Sequence, residues 1–159
     1  MRKVFFMVAA VAAMLVTGFT ACKPNSPEQP KEVDIYVAGT DESGAKSIAK
    51  VWKNGKELYA LTDGSKSARA NSVFVVGGDV YTAGKEHNGI QYVSKVWKND
   101  KELYELTDGS KDSEAYSLFV ADDKVYTAGY EGKVAKLWKN KSAKLPRSEE
   151  RRVGKECRS

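Results

Sequence analysis

The sequence predicts an all-β fold built from tandem four-stranded antiparallel blades of a β-propeller. Three observations carry this. A fifteen-residue stretch, VWKNGKELYALTDGS at 51–65, returns as VWKNDKELYELTDGS at 96–110 with two changes. Landmarks recur every 45 residues: Trp52 and Trp97, Asp63 and Asp108, and Tyr36, Tyr81 and Tyr126. Short runs rich in β-branched and aromatic residues, punctuated by Gly, Asn and Asp, fill each period and show no 3.6-residue spacing of apolar side chains. Periods of about 40 to 50 with several strands per unit mark propeller blades.

Each unit contains four strand candidates, here called A to D. In the second unit they are SVFV at 72–75, DVYTAG at 79–84, YVSKVWK at 92–98 and KELYEL at 101–106. Gly77-Gly78 and Asp122-Asp123 join A tightly to B. Asn54-Gly55 joins C to D, and Asn-Gly is the pair that best tolerates the positive φ of a type I′ hairpin turn. The B–C link varies: Trp follows the strand-B glycine by 13 residues at Gly39 and Gly84, and by 9 at Gly129. Such loss fits a surface loop. Tight A–B and C–D turns then share one end of each sheet, and the longer B–C loops and D–A crossovers through TDGS share the other, the expected binding side.

The first unit starts at strand B, VDIYVAG, with no SVFV segment before it, and the third stops soon after LWKN. About two and a half blades over 33–146 are therefore expected. In a closed ring the missing inner strand would come from the other end of the chain, leaving exposed sheet edges here.

The ends read differently from the repeats. Arg2 and Lys3, the apolar run Val4 to Val16 and small residues leading to Cys22 form a signal peptide over 1–21; the run is shorter than the roughly 20 residues of a spanning helix. Phe19-Thr20-Ala21-Cys22 resembles a bacterial lipobox, although Phe19 departs from the usual aliphatic residue, so Cys22 is the candidate lipidation site. The other reading is a plain cleaved signal with an incidental cysteine. A flexible Pro/Ser/Gln tether follows over 22–32. This places the protein on the general export pathway and on a membrane through its N-terminal lipid. Lys23 favours the outer membrane, facing the periplasm or displayed on the cell surface. The last thirteen residues, RSEERRVGKECRS at 147–159, resemble in every codon the translation of a sequencing-library adapter, and coding sequence is expected to continue past about Pro146.

Charge excludes one class of partner. Setting aside the two basic residues of the signal and the five basic and three acidic residues of the tail reduces 26 basic and 21 acidic residues to 19 and 18. Near-neutral repeats offer no footprint for nucleic acid. With Cys22 and Cys157 both outside the repeats, no disulfide staples them.

The repeat units VYTAG…KVWKNDKELYELTDGS resemble tandem repeats of predicted lipoproteins from Bacteroidetes-type bacteria, over Val33 to about Asn140. The resemblance implies a secreted propeller-like domain and no catalytic residue.

Chemistry is sparse. His87, the single histidine, lies in a B–C loop without His or Cys partners, so no metal and no cofactor is expected. No GxSxG, P-loop or free nucleophilic cysteine is present in the repeats. Asp63-Gly64-Ser65 and Asp108-Gly109-Ser110 read as turns, lacking the alternating acids of a calcium loop. One recurrence points to binding. An acid stands two residues after the strand-B glycine in all three units, as Asp41, Glu86 and Glu131. These form a candidate ring of carboxylates for a cation, a lysine-rich partner or sugar hydroxyls; the competing reading is acids that keep loops soluble. Trp52, Trp97 and Trp138 read as packing between blades rather than a sugar-stacking platform. The functional expectation is a binding or scaffolding module for a protein or glycan, not an enzyme. The alternatives are an enzyme framed by the propeller, with catalytic residues outside this sequence, and a structural array without a ligand. Catalysis would require residues that break the repeat, and His87, Arg69 and Asp112 form no constellation in the linear sequence.

Overall fold

The computed structural model describes residues 32–144. The signal segment, Cys22, the tether up to residue 31 and the tail from 145 onward lie outside the described residues. The described chain is all-β. β1 (Tyr36–Asp41), β2 (Ile48–Lys53) and β3 (Lys56–Ala60) form a three-stranded antiparallel sheet in that order. β4 (Ala68–Val76), β5 (Asp79–His87), β6 (Tyr92–Lys98) and β7 (Lys101–Glu105) form a second sheet of four. β8 (Ser113–Ala121), β9 (Lys124–Glu131), β10 (Val134–Lys139) and the short β11 (Ser142–Lys144) form a third. The third unit thus contains a fourth strand, where the sequence suggested that it stops after LWKN. Three residues of pairing from Leu137 to Lys139 are enough to register it.

The turns follow their residue chemistry. Asn54 and Gly55 both take positive φ, 51° and 77°, as a type I′ turn requires. In the second and third sheets the positive φ rests on the asparagine, Asn99 at 57° and Asn140 at 54°. Each asparagine also clasps the start of strand B. The Asn99 amide N–H donates to the Val80 carbonyl at 2.7 Å, and the Val80 N–H donates to the Asn99 side-chain oxygen at 2.9 Å. Asn54 with Ile35 and Asn140 with Val125 repeat the exchange. The turn residue therefore sets the spacing of three strands, which the hairpin signal alone does not reveal.

The core lies between consecutive sheets. Ala49, Val51 and Leu61 of the first unit pack with Ala68, Ala70, Val80 and Trp97 of the second. One repeat later, Ala83, Val96 and Leu106 pack with Ala115, Leu118, Val120, Val125 and Trp138. Trp97 and Trp138 are each 1% exposed. They are packing residues between sheets, as their spacing suggests.

The A and B strands run longer than their patterns, as the second sheet shows. β4 begins at Ala68 because Ala68 and Ala70 are small enough to be buried against the first sheet. β5 continues through Gly84 to His87, since this glycine is a point of close approach within a strand and not its end.

Candidate functional site

Strand extension moves the three recurring acids out of loops. Asp41 closes β1, Glu86 lies in β5 one residue before its end, and Glu131 closes β9. Each faces a lysine on the neighbouring strand. Gly39 pairs with Lys50, Gly84 with Lys95 and Gly129 with Lys136, which puts each acid diagonally across from the lysine, on the same face. The ion pairs are Lys50–Asp41 at 2.8 Å, Lys95–Glu86 at 2.7 Å and Lys136–Glu131 at 3.1 Å. Lys50 and Lys95 reach a second carboxylate on strand D, Glu57 and Glu102, both at 2.7 Å.

The lysine contacts hold the Asp41 carboxyl far below the usual carboxylate range, with help from the Ser43 side chain and amide. Lys50 is raised by its bonds to Asp41 and Glu57. For Lys95, burial pulls the ammonium down but its bonds to Glu102 and Glu86 outweigh this, so the net shift is upward. The carboxylates remain partly open, with 17–26% of each side chain exposed. The recurring acid is therefore a charge-compensated pair with free acceptor lone pairs.

Among the described residues no group of three His, Cys, Asp or Glu side chains is arranged to hold a metal. His87 ends β5, not a loop; its Nδ1 accepts the Gly89 N–H at 3.1 Å and its ring meets Tyr92 edge-on at 5.0 Å. In the Asp63 and Asp108 turns the side chains accept the N–H of Ser65 at 2.8 Å and of Ser110 at 2.9 Å, with Gly64 and Gly109 at positive φ. Both recurring Asp-Gly-Ser segments are turns held by their own aspartate.

A second group was hidden because it breaks the repeat. The residues at Thr40, Lys85 and Tyr130 are equivalent by the 45-residue period, as are Arg69 and Glu114, Asn71 and Tyr116, and Ser67 and Asp112. Lys85, Asn71 and Tyr92 of the second unit meet Glu114 and Asp112 of the third, while within the third unit Tyr116 and Tyr130 contact each other and Tyr130 contacts Asp112. Lys85 bonds Glu114 at 2.9 Å and lies 4.3 Å from the Tyr92 ring centroid. The other oxygen of Glu114 accepts from the Asn71 amide at 2.9 Å, and that amide also reaches the Ala115 carbonyl. Asp112 accepts the Tyr92 N–H at 3.1 Å through one oxygen and the Tyr130 hydroxyl at 2.9 Å through the other. Burial first, then the bond to Asp112, pushes the Tyr130 phenol up to about 12. Tyr116, 55% exposed, lies against Tyr130 with ring centroids 5.7 Å apart. The result is an exposed aromatic ring on partly buried, hydrogen-bonded polar groups, beside the Glu131 end of β9.

At the corresponding place between the first and second sheets the ion pair is Arg69–Glu42 at 3.8 Å between exposed side chains, beside the Ala68 N–H bond to the Ser47 carbonyl at 2.8 Å. No helix among the described residues is long and apolar enough to cross a membrane. Set against family models, curated proteins and solved structures, the chain matches none.

Proposed function

We propose that the chain is a lipid-anchored cell-envelope protein whose sheets are blades of a β-propeller, and that its long-loop end binds a glycan of the envelope. The observation that carries the binding reading is the gathering of repeat-breaking residues, Lys85, Tyr92, Asp112, Glu114, Tyr116 and Tyr130, at one place beside the carboxylate–lysine pairs. A purely structural array has no need for such a departure. An exposed tyrosine ring offers a stacking surface for a sugar, and partly open carboxylates offer acceptors for hydroxyls. Because Asp41, Glu86 and Glu131 already have lysine partners, they attract a cation or a lysine-rich protein less than free acids would.

Glycan-array binding tests this. Tyr116→Ala is expected to weaken binding to any captured polysaccharide at least tenfold while leaving the fold intact, and Asp41→Asn, Glu86→Gln and Glu131→Gln together are expected to weaken it further. Binding equal to wild type in both variants contradicts the reading. Membrane attachment is tested separately: a palmitate analogue should label the native chain in cells and not Cys22→Ala.

A further inference from the structure

Glycine recurs at the same point of strand B in all three sheets, and two of the three have an evident reason. A Cβ on Gly84 would fall on the Arg69 carbonyl oxygen and 3.0 Å from the Ala70 Cα; on Gly129 it would fall on the Glu114 carbonyl oxygen and 2.9 Å from the Ala115 Cα. Both obstacles belong to strand A, where it bulges between Ala70 and Ser72 or between Ala115 and Ser117. The bulge brings the backbones so close that only glycine fits.

Gly39 holds this position in the first sheet, 45 residues before Gly84, and no described backbone lies over it. Its Cβ would meet only the Trp52 ring, at 3.1 Å and beyond. Among the described residues β1 is an edge strand whose sole partner is β2. The edge also lacks the usual protection: the outer strands β3 and β7 open with Lys-Glu, whereas Tyr36–Asp41 contains no Lys, Arg or Pro.

We infer that the free edge of β1 is a receptor for one kind of extended segment, a strand of the β4 and β8 type supplied by a further repeat of the same sequence. Those strands read Ala70-Asn-Ser-Val-Phe-Val75 and Ala115-Tyr-Ser-Leu-Phe-Val120. Transferring the pairing of β4 with β5 back by 45 residues sets the incoming alanine opposite Gly39, the serine opposite Ala38, the Val or Leu opposite Val37 and the phenylalanine opposite Tyr36. Main-chain hydrogen bonds supply the affinity and the bulge over Gly39 supplies the register. This inference stands on the edge itself and not on the glycan reading.

The probe is a fluorescein-labelled peptide of residues 112–122, DSEAYSLFVAD, titrated into the 159-residue chain and followed by anisotropy, with backbone hydrogen exchange as a second readout. Saturable binding is expected, with protection gained at the amides of 37–40. Gly39→Ala, whose methyl group occupies the place of the incoming carbonyl, is expected to weaken binding at least tenfold while near-UV circular dichroism stays unchanged. Val37→Thr should leave binding intact, because Thr82 and Thr127 occupy that position in the other sheets. The inference is overturned if the wild-type chain does not bind the peptide, or if a scrambled peptide binds equally well. Undiminished binding by a folded Gly39→Ala, or protection arising away from β1, overturns it too. Should Gly39→Ala fail to fold, the exchange pattern of the wild-type chain decides.

Discussion

Trp52 and Trp97 are the same residue in two copies of one peptide, and their surroundings differ. Trp97 faces the first sheet and is sealed among Ala49, Val51 and Leu61; Trp52 faces away from the second sheet and is only half buried. The same contrast runs through the neighbours. Val80 is buried where Ile35 is 63% exposed, and Val96 is buried where Leu137 is 40% exposed. Each repeat therefore carries two half-interfaces, a tryptophan face and an Ala/Val face, and a side chain is buried only where the next sheet supplies the other half. The stability of such an array resides largely in junctions between sheets, so equivalent substitutions should cost unequal amounts.

The largest expected effect is at the sealed junction. Trp97→Ala should lower the stability measured by urea denaturation by about 3–5 kcal/mol, the usual range for emptying a buried aromatic site. Trp52→Ala should cost about 1 kcal/mol, as for a residue with one side open. Equal losses would show that the junction is not what stabilises the array.

A smaller contrast concerns the C–D turns. Gly55→Val forces a β-branched residue to φ near 77° and should cost about 1–2 kcal/mol. No side chain crowds the position, so the penalty is conformational. Asp100→Val, at the equivalent place but without positive φ, should change stability by no more than about 0.5 kcal/mol. Thermal melts of the two variants separate these outcomes.

The first sheet also suggests an improvement to the second. Thr82 is fully buried and its hydroxyl has no partner, whereas the first sheet carries Val37 at that position. Thr82→Val should raise stability by about 1 kcal/mol, since a buried hydroxyl without a hydrogen bond is replaced by an apolar group of the same shape. A loss on denaturation would mean that the hydroxyl is satisfied.

Tyr130 distinguishes the third sheet from the second, where Lys85 stands in its place. Its folded-state pKa is raised to about 12 by burial and by the bond to Asp112, above the value of about 10 in an unfolded chain. A raised pKa of this kind contributes stability that is fully present below pH 10 and lost as pH rises through 12. Absorbance at 295 nm should show one late-ionising tyrosine, absent from Tyr130→Phe. A difference between the two titration curves centred near pH 10 instead of near 12 would contradict the Asp112 bond.

Much of this arrangement was legible in the sequence, and the rest was not for identifiable reasons. Asn-Gly and Gly-Gly pairs mark turns through their backbone requirements alone, so the antiparallel order and the two kinds of sheet end could be read directly, whereas the short β11 was missed. β6 runs from Tyr92 to Lys98, as its pattern indicates. Gly84 was misleading because glycine serves both strand ends and close approach, and taking it as an end put Glu86 and His87 in a loop. The lysine partners of the acids depend on cross-strand register, which a single strand does not encode. Lys85, Glu114, Tyr116 and Tyr130 are scattered along the chain; the pairing of β8 with β9 joins the last three, and only the stacking of the second and third sheets adds Lys85. Comparing the repeats position by position exposes them as departures, although their contacts still require the fold.

The central claim is that equivalent residues differ because, among the described residues, a neighbouring sheet is or is not packed against them. Fluorine NMR of the wild-type chain labelled with 5-fluorotryptophan tests it without altering the packing. Three resonances are expected, with Trp52 assigned by its loss in Trp52→Phe. On adding a soluble gadolinium chelate, the Trp52 signal should broaden severalfold more than those of Trp97 and Trp138. Equal broadening of all three, or protection of Trp52 to the level of Trp97, would contradict the account.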